Sequence, residues 1–121
     1  MQTIEQSITQ YGDAWNIEGV ENIKSALKDS WTLQSTYFDT QNEMVQGIDG
    51  LANLINSFHD QAPGHILRQV SKVDAHHKSG RFQWENVGPN GEKTSGMDYF
   101  EFNDRNQITR IVGFFGPFIE L

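Results

Sequence analysis

The chain has 121 residues, 36% of them apolar, a formal net charge of −7 and no cysteine. That length suits one domain around one core, and eight Phe, three Tyr and three Trp supply large buried area, so the chain reads as globular. Disulfides, thiolate nucleophiles and Cys-based zinc sites are excluded. The nine Lys and Arg form no run, which argues against nucleic acid and anionic membrane as partners. No apolar stretch approaches the roughly 20 residues of a membrane span, and MQTIEQSITQ lacks the basic start and apolar stretch of a secretory signal, so the expected compartment is the cytoplasm.

Residues 3 to about 18 are predicted to form a helix. Thr3 followed by Gln6 makes a capping box, and Ile4, Ile8, Tyr11 and Trp15 fall on one stripe. A short second helix is expected over 20–28, with Val20, Ile23 and Leu27 inside. The β-branched and aromatic segment 31–39, WTLQSTYFD, reads as a strand. A third helix follows the Gly47–Gly50 region, with Asp49 as its N-cap, an apolar stripe of Leu51, Leu54, Ile55 and Phe58, and Pro63-Gly64 as its stop. Strands then follow over 66–76, 80–87, 95–103 and 107–115. Turns lie around Lys78-Ser79-Gly80, at Pro89-Asn90-Gly91 and over Asn103–Asn106. Four strands with short connections form an antiparallel meander, and the helices cover one of its faces. The expected class is α+β, in a single domain over 1–121.

Two polar residues lie on apolar faces. Alternation in Met97-Asp98-Tyr99-Phe100-Glu101-Phe102 sets Asp98 on the same face as Phe100 and Phe102. A carboxyl there must be hydrogen-bonded or stay protonated, because desolvation disfavours its charged form. The plainer reading is a strand-end residue, solvated or paired to Arg81 or Arg110. Tyr11 stands on the inner stripe of the first helix, either as an ordinary core or rim tyrosine or as a donor into a pocket. A phenol and a neutral carboxylic acid side by side would stabilise a negative oxygen forming on a carbonyl compound. Asp39, closing its strand, is the candidate base, against the reading of a solvated turn residue. Adjacent His76 and His77 in one strand would face opposite ways and chelate poorly, so no metal site is expected. Ser35 and Ser95 lack a neighbouring base.

Several motifs together are similar to a known family. Phe58-His59, Pro63-Gly64-His65, Val73-Asp74-Ala75-His76-His77, Arg81-Phe82-Gln83-Trp84, Gly88-Pro89-Asn90-Gly91, Gly96-Met97-Asp98 and Ile111-Val112-Gly113-Phe114-Phe115-Gly116-Pro117 resemble the SnoaL-like proteins of the nuclear transport factor 2-like superfamily. That superfamily includes ketosteroid isomerase and polyketide cyclases. The resemblance spans nearly the whole chain. It implies a cone-shaped α+β barrel, with three helices packed on a strongly curved antiparallel sheet that encloses a pocket. A homodimer formed through the outer side of the sheet is also implied.

Ketosteroid isomerase works with an Asp base and an oxyanion hole made by a Tyr and a protonated Asp. Tyr11, in Gln10-Tyr11-Gly12-Asp13-Ala14-Trp15-Asn16, and Asp98 match the last two in register. Asp39 matches the base, with Ser35 at that position under another choice of gap. Relatives usually carry Pro after this Asp, whereas here it is Thr40. The implied function is a cofactor-independent isomerase or cyclase acting on a small apolar carbonyl compound, with Asp39, Tyr11 and Asp98 catalytic and Trp15, Trp84, Phe100 and Phe102 as pocket walls. The alternative is a non-catalytic binding module or dimerising scaffold of the same fold.

Overall fold

Thr3 opens the first helix as its capping box requires. Its hydroxyl accepts from the Gln6 N–H, and the Gln6 side chain accepts from the Thr3 N–H. The structure is a computed structural model and describes residues 1–121. Helix α1 (Ile4–Ala14) stops short of residue 18 because the chain tightens into i→i+3 bonds from Gly12, Asp13 and Ala14 carbonyls. Helix α2 (Val20–Leu27) buries Ile23 and Leu27. Strand β1 (Trp31–Phe38) pairs at its end with the two-residue strand β2 (Val45–Gln46), which the sequence did not reveal.

Helix α3 (Gly47–Gln61) leaves β2 without a linker, so Gln46 takes the N-cap place and makes no side-chain cap bond. Asp49 is therefore not the cap. It lies in the first turn, where the helix dipole favours an anion, and pairs with Lys24 Nζ at 2.7 Å. Gly47 makes the strand-to-helix step with φ +76, and its carbonyl accepts from the Trp31 indole N–H at 3.0 Å.

The expected strand over 66–76 is broken into β3 (Ile66–Gln69) and β4 (Asp74–His76). The Ser71 hydroxyl, rather than a backbone carbonyl, accepts from the Gln83 N–H, and this interrupts the ladder. Both pieces pair with β5 (Ser79–Val87), which continues antiparallel through β6 (Lys93–Phe102) to β7 (Ile108–Phe115). His77 and Lys78 take left-handed backbone at the β4–β5 turn (φ 50 and 61). The histidine rings consequently do not diverge: His76 Nδ1 and His77 Nδ1 meet at 2.9 Å as an exposed pair.

The sheet order is β2-β1-β7-β6-β5-β3, with β4 also on β5. β1 runs parallel to β7, so the sheet is mixed, and it does not close. Register shifts leave extra residues in β1 and, at Thr109, in β7, and such bulges bend strands and deepen the twist. The helices cover the inner face, where Ile8, Ile23, Leu27, Trp31, Leu51, Ile55, Phe100, Ile108 and Ile111 form the buried centre of the α+β cone. No helix is long and apolar enough to cross a membrane.

Phe100 is fully buried and packs between Phe82 and Phe102, with ring centroids 6.1 and 5.8 Å away. Its truncation empties space that a β6 strand locked between β5 and β7 cannot collapse. Phe100→Ala is expected to lower stability by about 3–5 kcal/mol in urea unfolding. A loss below about 1 kcal/mol would show that this part of the core is loosely packed.

Candidate functional site

Phe82 pairs in register with Asp98, and Asp98 with Gly113. The inner sheet face under the helices therefore runs from an aromatic ring through a carboxyl to a position with no side chain. A Cβ placed on Gly113 would lie 3.0 Å from Asp39 Cβ, 3.2 Å from Asp98 Oδ1 and 3.6 Å from the Tyr37 hydroxyl. Three polar side chains, from β1, the turn after it and β6, thus converge over one glycine. They open on a cavity of about 750 Å³, which Tyr11, Trp15, Phe58, Phe82 and Trp84 also line.

Asp98 is 5% exposed. Neither arginine reaches it: Arg81 pairs with Asp74 at 3.1 Å and Arg110 with Glu101 at 3.7 Å. Its direct partner is Trp84, whose indole Nε1 donates to Oδ1 at 2.9 Å. Burial pushes the Asp98 carboxyl up to about 7. The Trp84 hydrogen bond opposes that rise, the negative charge of Asp39 adds to it, and the nearby Tyr11 hydroxyl opposes it.

Tyr11, 3% exposed, stacks on Trp31 at 5.9 Å. Burial, and then the charge of Asp98, hold its phenol well above the ordinary tyrosine range, so it stays a donor. Tyr37 is also 5% exposed and shifted the same way, by burial and then by Tyr11, Asp98 and Asp39.

Asp39 sits at the end of β1, where its carboxylate closes a small turn. Oδ1 accepts from the backbone N–H groups of Gln41 and Asn42, each at 2.8 Å. The Asn42 amide spans both oxygens, and the Tyr37 hydroxyl donates to Oδ2. These donors occupy the lone-pair directions of the carboxylate. Ser35 is elsewhere. It is fully buried in the β1 bulge, donating to Ile108 O at 2.6 Å and accepting from Thr32 N–H at 2.9 Å.

Trp15 and Trp84 line the cavity; Phe100 and Phe102 do not. Phe100 points the same way as Asp98, but two residues along β6 the helices have closed over the sheet, so it is core. Phe102, one step further, lies beneath the Lys78 ammonium, 5.4 Å from its ring centroid. Tyr37 and Phe82 are lining residues that the sequence reading missed. The signal for Tyr37 was its place two before Asp39 in a strand, which puts both on one face.

No protein-family model and no curated protein matches the chain. Solved structures do. A SnoaL-like family protein of Agrobacterium tumefaciens, put forward as an isomerase, superposes with a TM-score of 0.84 and 26% identity over 93% of this chain and 96% of that one. The chain has the SnoaL-like fold. A SnoaL-like protein of Jannaschia put forward as a polyketide cyclase matches with a TM-score of 0.69 and 13% identity, over 95% and 89% of the two chains. A protein of Catenulispora acidiphila with a ketosteroid isomerase-like fold, solved with trimethylamine, gives 0.76 and 13% over 95% and 88%.

A carboxyl shifted upward on folding makes stability pH-dependent. Below the unfolded value near 3.8 the acid is neutral in both states and the stability is full; above it the unfolded chain gives up the proton that the folded protein holds, so stability falls steadily and the loss is complete once pH has risen through about 7. Asp98→Asn keeps the shape without the titration. Relative to that variant the wild type is expected to lose up to about 4 kcal/mol between pH 4 and 8, the equivalent of the pKa difference. Urea midpoints of the two proteins that run parallel over this range would contradict a buried, titrating Asp98.

Proposed function

We propose that this cavity is the active site of a cofactor-independent isomerase or cyclase acting on a small, mostly apolar carbonyl compound by enolisation. Asp39 takes a proton from the carbon next to the carbonyl. The C–H electrons pass to the carbonyl oxygen, and Tyr11 and Asp98 donate hydrogen bonds to that oxygen as its charge grows. The proton then returns to another carbon, or the enolate carbon attacks a second carbonyl of the same molecule, whose π electrons pass to its oxygen and take up the proton as the ring closes. The observation that carries this reading is the buried, neutral-leaning carboxyl of Asp98 facing an aromatic-walled hollow beside a phenol. The isomerase and cyclase descriptions of the Agrobacterium and Jannaschia relatives support the class.

Planar phenols mimic an enolate, since their oxygen accepts hydrogen bonds in the ring plane. A 4-nitrophenol titration followed by absorbance is expected to give saturable binding, weakened about tenfold or more in both Tyr11→Phe and Asp98→Ala. Unchanged affinity in both variants would remove the oxyanion-hole reading.

A second reading, a small-molecule-binding module without chemistry, draws on Asp39. Its oxygens are already engaged by Tyr37, Asn42 and two backbone N–H groups, one of which must yield before the carboxylate takes a proton. Exchange of α-hydrogens for deuterium, followed by NMR over a panel of small cyclic ketones, separates the readings. The enzyme exchanges at least one ketone and loses that ability in Asp39→Asn, whereas a binding module leaves every ketone at the buffer rate. The reading includes a homodimer through the outer sheet face and a cytoplasmic setting. Light scattering is expected to give twice the mass of one chain, and a monomer would refute the dimer.

A further inference from the structure

Asp98 has two carboxyl oxygens, and the structure treats them differently. Oδ1 accepts from the Trp84 indole at 2.9 Å and lies against the sheet floor, 3.2 Å from where a Gly113 Cβ would stand. An indole N–H donates and cannot accept. In a neutral carboxylic acid the carbonyl oxygen is the better acceptor, so an N–H aimed at Oδ1 keeps the proton on the other oxygen.

We propose that Trp84 is a positioning residue: its indole N–H holds Oδ1 of Asp98 as the acceptor and so leaves the carboxyl proton on Oδ2, turned into the cavity toward a ligand oxygen. The inference rests on the oxyanion-site reading and adds the device that orients its donor.

The indole is itself fixed in place. Trp84 pairs with Gly96 across β5 and β6, and a Cβ on Gly96 would overlap indole Cζ2 and Cε2 and the Phe114 carbonyl oxygen. The ring therefore lies flat on bare backbone, in space that any other residue at 96 would fill. Phe115 packs edge-on against its other side, with centroids 5.4 Å apart and planes at 87°. Gly96 thus does for Trp84 what Gly113 does for Asp39 and Asp98. Of the other titratable groups facing Asp98, Tyr11 comes from α1, Tyr37 from β1 and Asp39 from the turn after it. Arg81 and Arg110 are occupied by Asp74 and Glu101.

The test uses the full chain labelled with ¹³C at the aspartate carboxyls, with 4-nitrophenol as the probe. Trp84→Phe keeps an aromatic ring but removes the N–H together with part of the cavity wall, and Gly96→Ala keeps the indole while displacing it, its methyl also meeting the Phe114 carbonyl oxygen. The carboxyl band and its midpoint, rather than affinity alone, therefore report the lost N–H. Both are first checked for native far-ultraviolet circular dichroism. In each, the infrared C=O band of the protonated Asp98, identified by its absence in Asp98→Asn, is expected to move to higher frequency as its N–H partner is lost. The pH at which that band disappears is expected to rise, and nitrophenol affinity to fall about tenfold. A role in packing alone would lower thermal stability without moving the band or its midpoint. If Trp84→Phe leaves band, midpoint and affinity at wild-type values while Asp98→Ala abolishes binding, the positioning role is overturned and the oxyanion site stands. If Asp98→Ala binds as tightly as wild type, the site reading itself fails, and the role of Trp84 with it.

Discussion

Burying one carboxyl almost completely is the constraint around which this protein is arranged. A buried acid must be hydrogen-bonded, neutralised or both. At Asp98 the answer is an indole N–H on one oxygen, a phenol nearby and a raised affinity for its own proton. The neighbouring choices follow. Trp84 must lie flat, so residue 96 has no side chain; Asp39 and Tyr37 must approach from β1, so residue 113 has none either. The charged pairs Arg81–Asp74 and Arg110–Glu101 are confined to exposed ground, where such pairs contribute little to stability.

Much of this was legible in the sequence because it rests on short-range rules. The Thr3–Gln6 box, the stripe through Tyr11 and the alternation that turns Asp98 inward all follow from helix and strand periodicity. What escaped the sequence was set by distant partners. The break at 70–73 depends on the Ser71 hydroxyl meeting Gln83, and the start of α3 depends on β2 joining β1. Phe100 and Phe102 share a face with Asp98, but alternation cannot say where along a strand the cavity ends and the core begins. The histidine pair was misread for a related reason: a strand-long alternation was applied to a residue that the turn had already rotated into left-handed backbone.

Asp39 shows how one side chain serves two demands. As the residue that closes the turn after β1 it accepts from the main chain of Gln41 and Asn42, which is the ordinary local bonding of Asp at a turn. As a cavity residue it also meets Tyr37 and lies against the Gly113 gap. The first set of bonds fixes where the carboxylate stands; the second determines what it can reach. Thr40 follows Asp39, so the turn geometry here is maintained by these hydrogen bonds rather than by a proline's fixed backbone angle.

The parallel pairing of β1 with β7 carries a further meaning. Trp31 meets Ile108 and Phe38 meets Val112, contacts that span most of the chain, with the Ser30 carbonyl and the Ser35 hydroxyl tying the two strands together. Hairpins such as β5–β6 can close early because their loops are short, whereas this pairing must wait for a long loop to be drawn in. Tyr11 and Asp39 arrive with the first part of the chain and Asp98 with the second. The constellation over Gly113 is therefore absent from every partly folded form that lacks this last seam, and the cavity comes into being only when the two ends of the polypeptide meet.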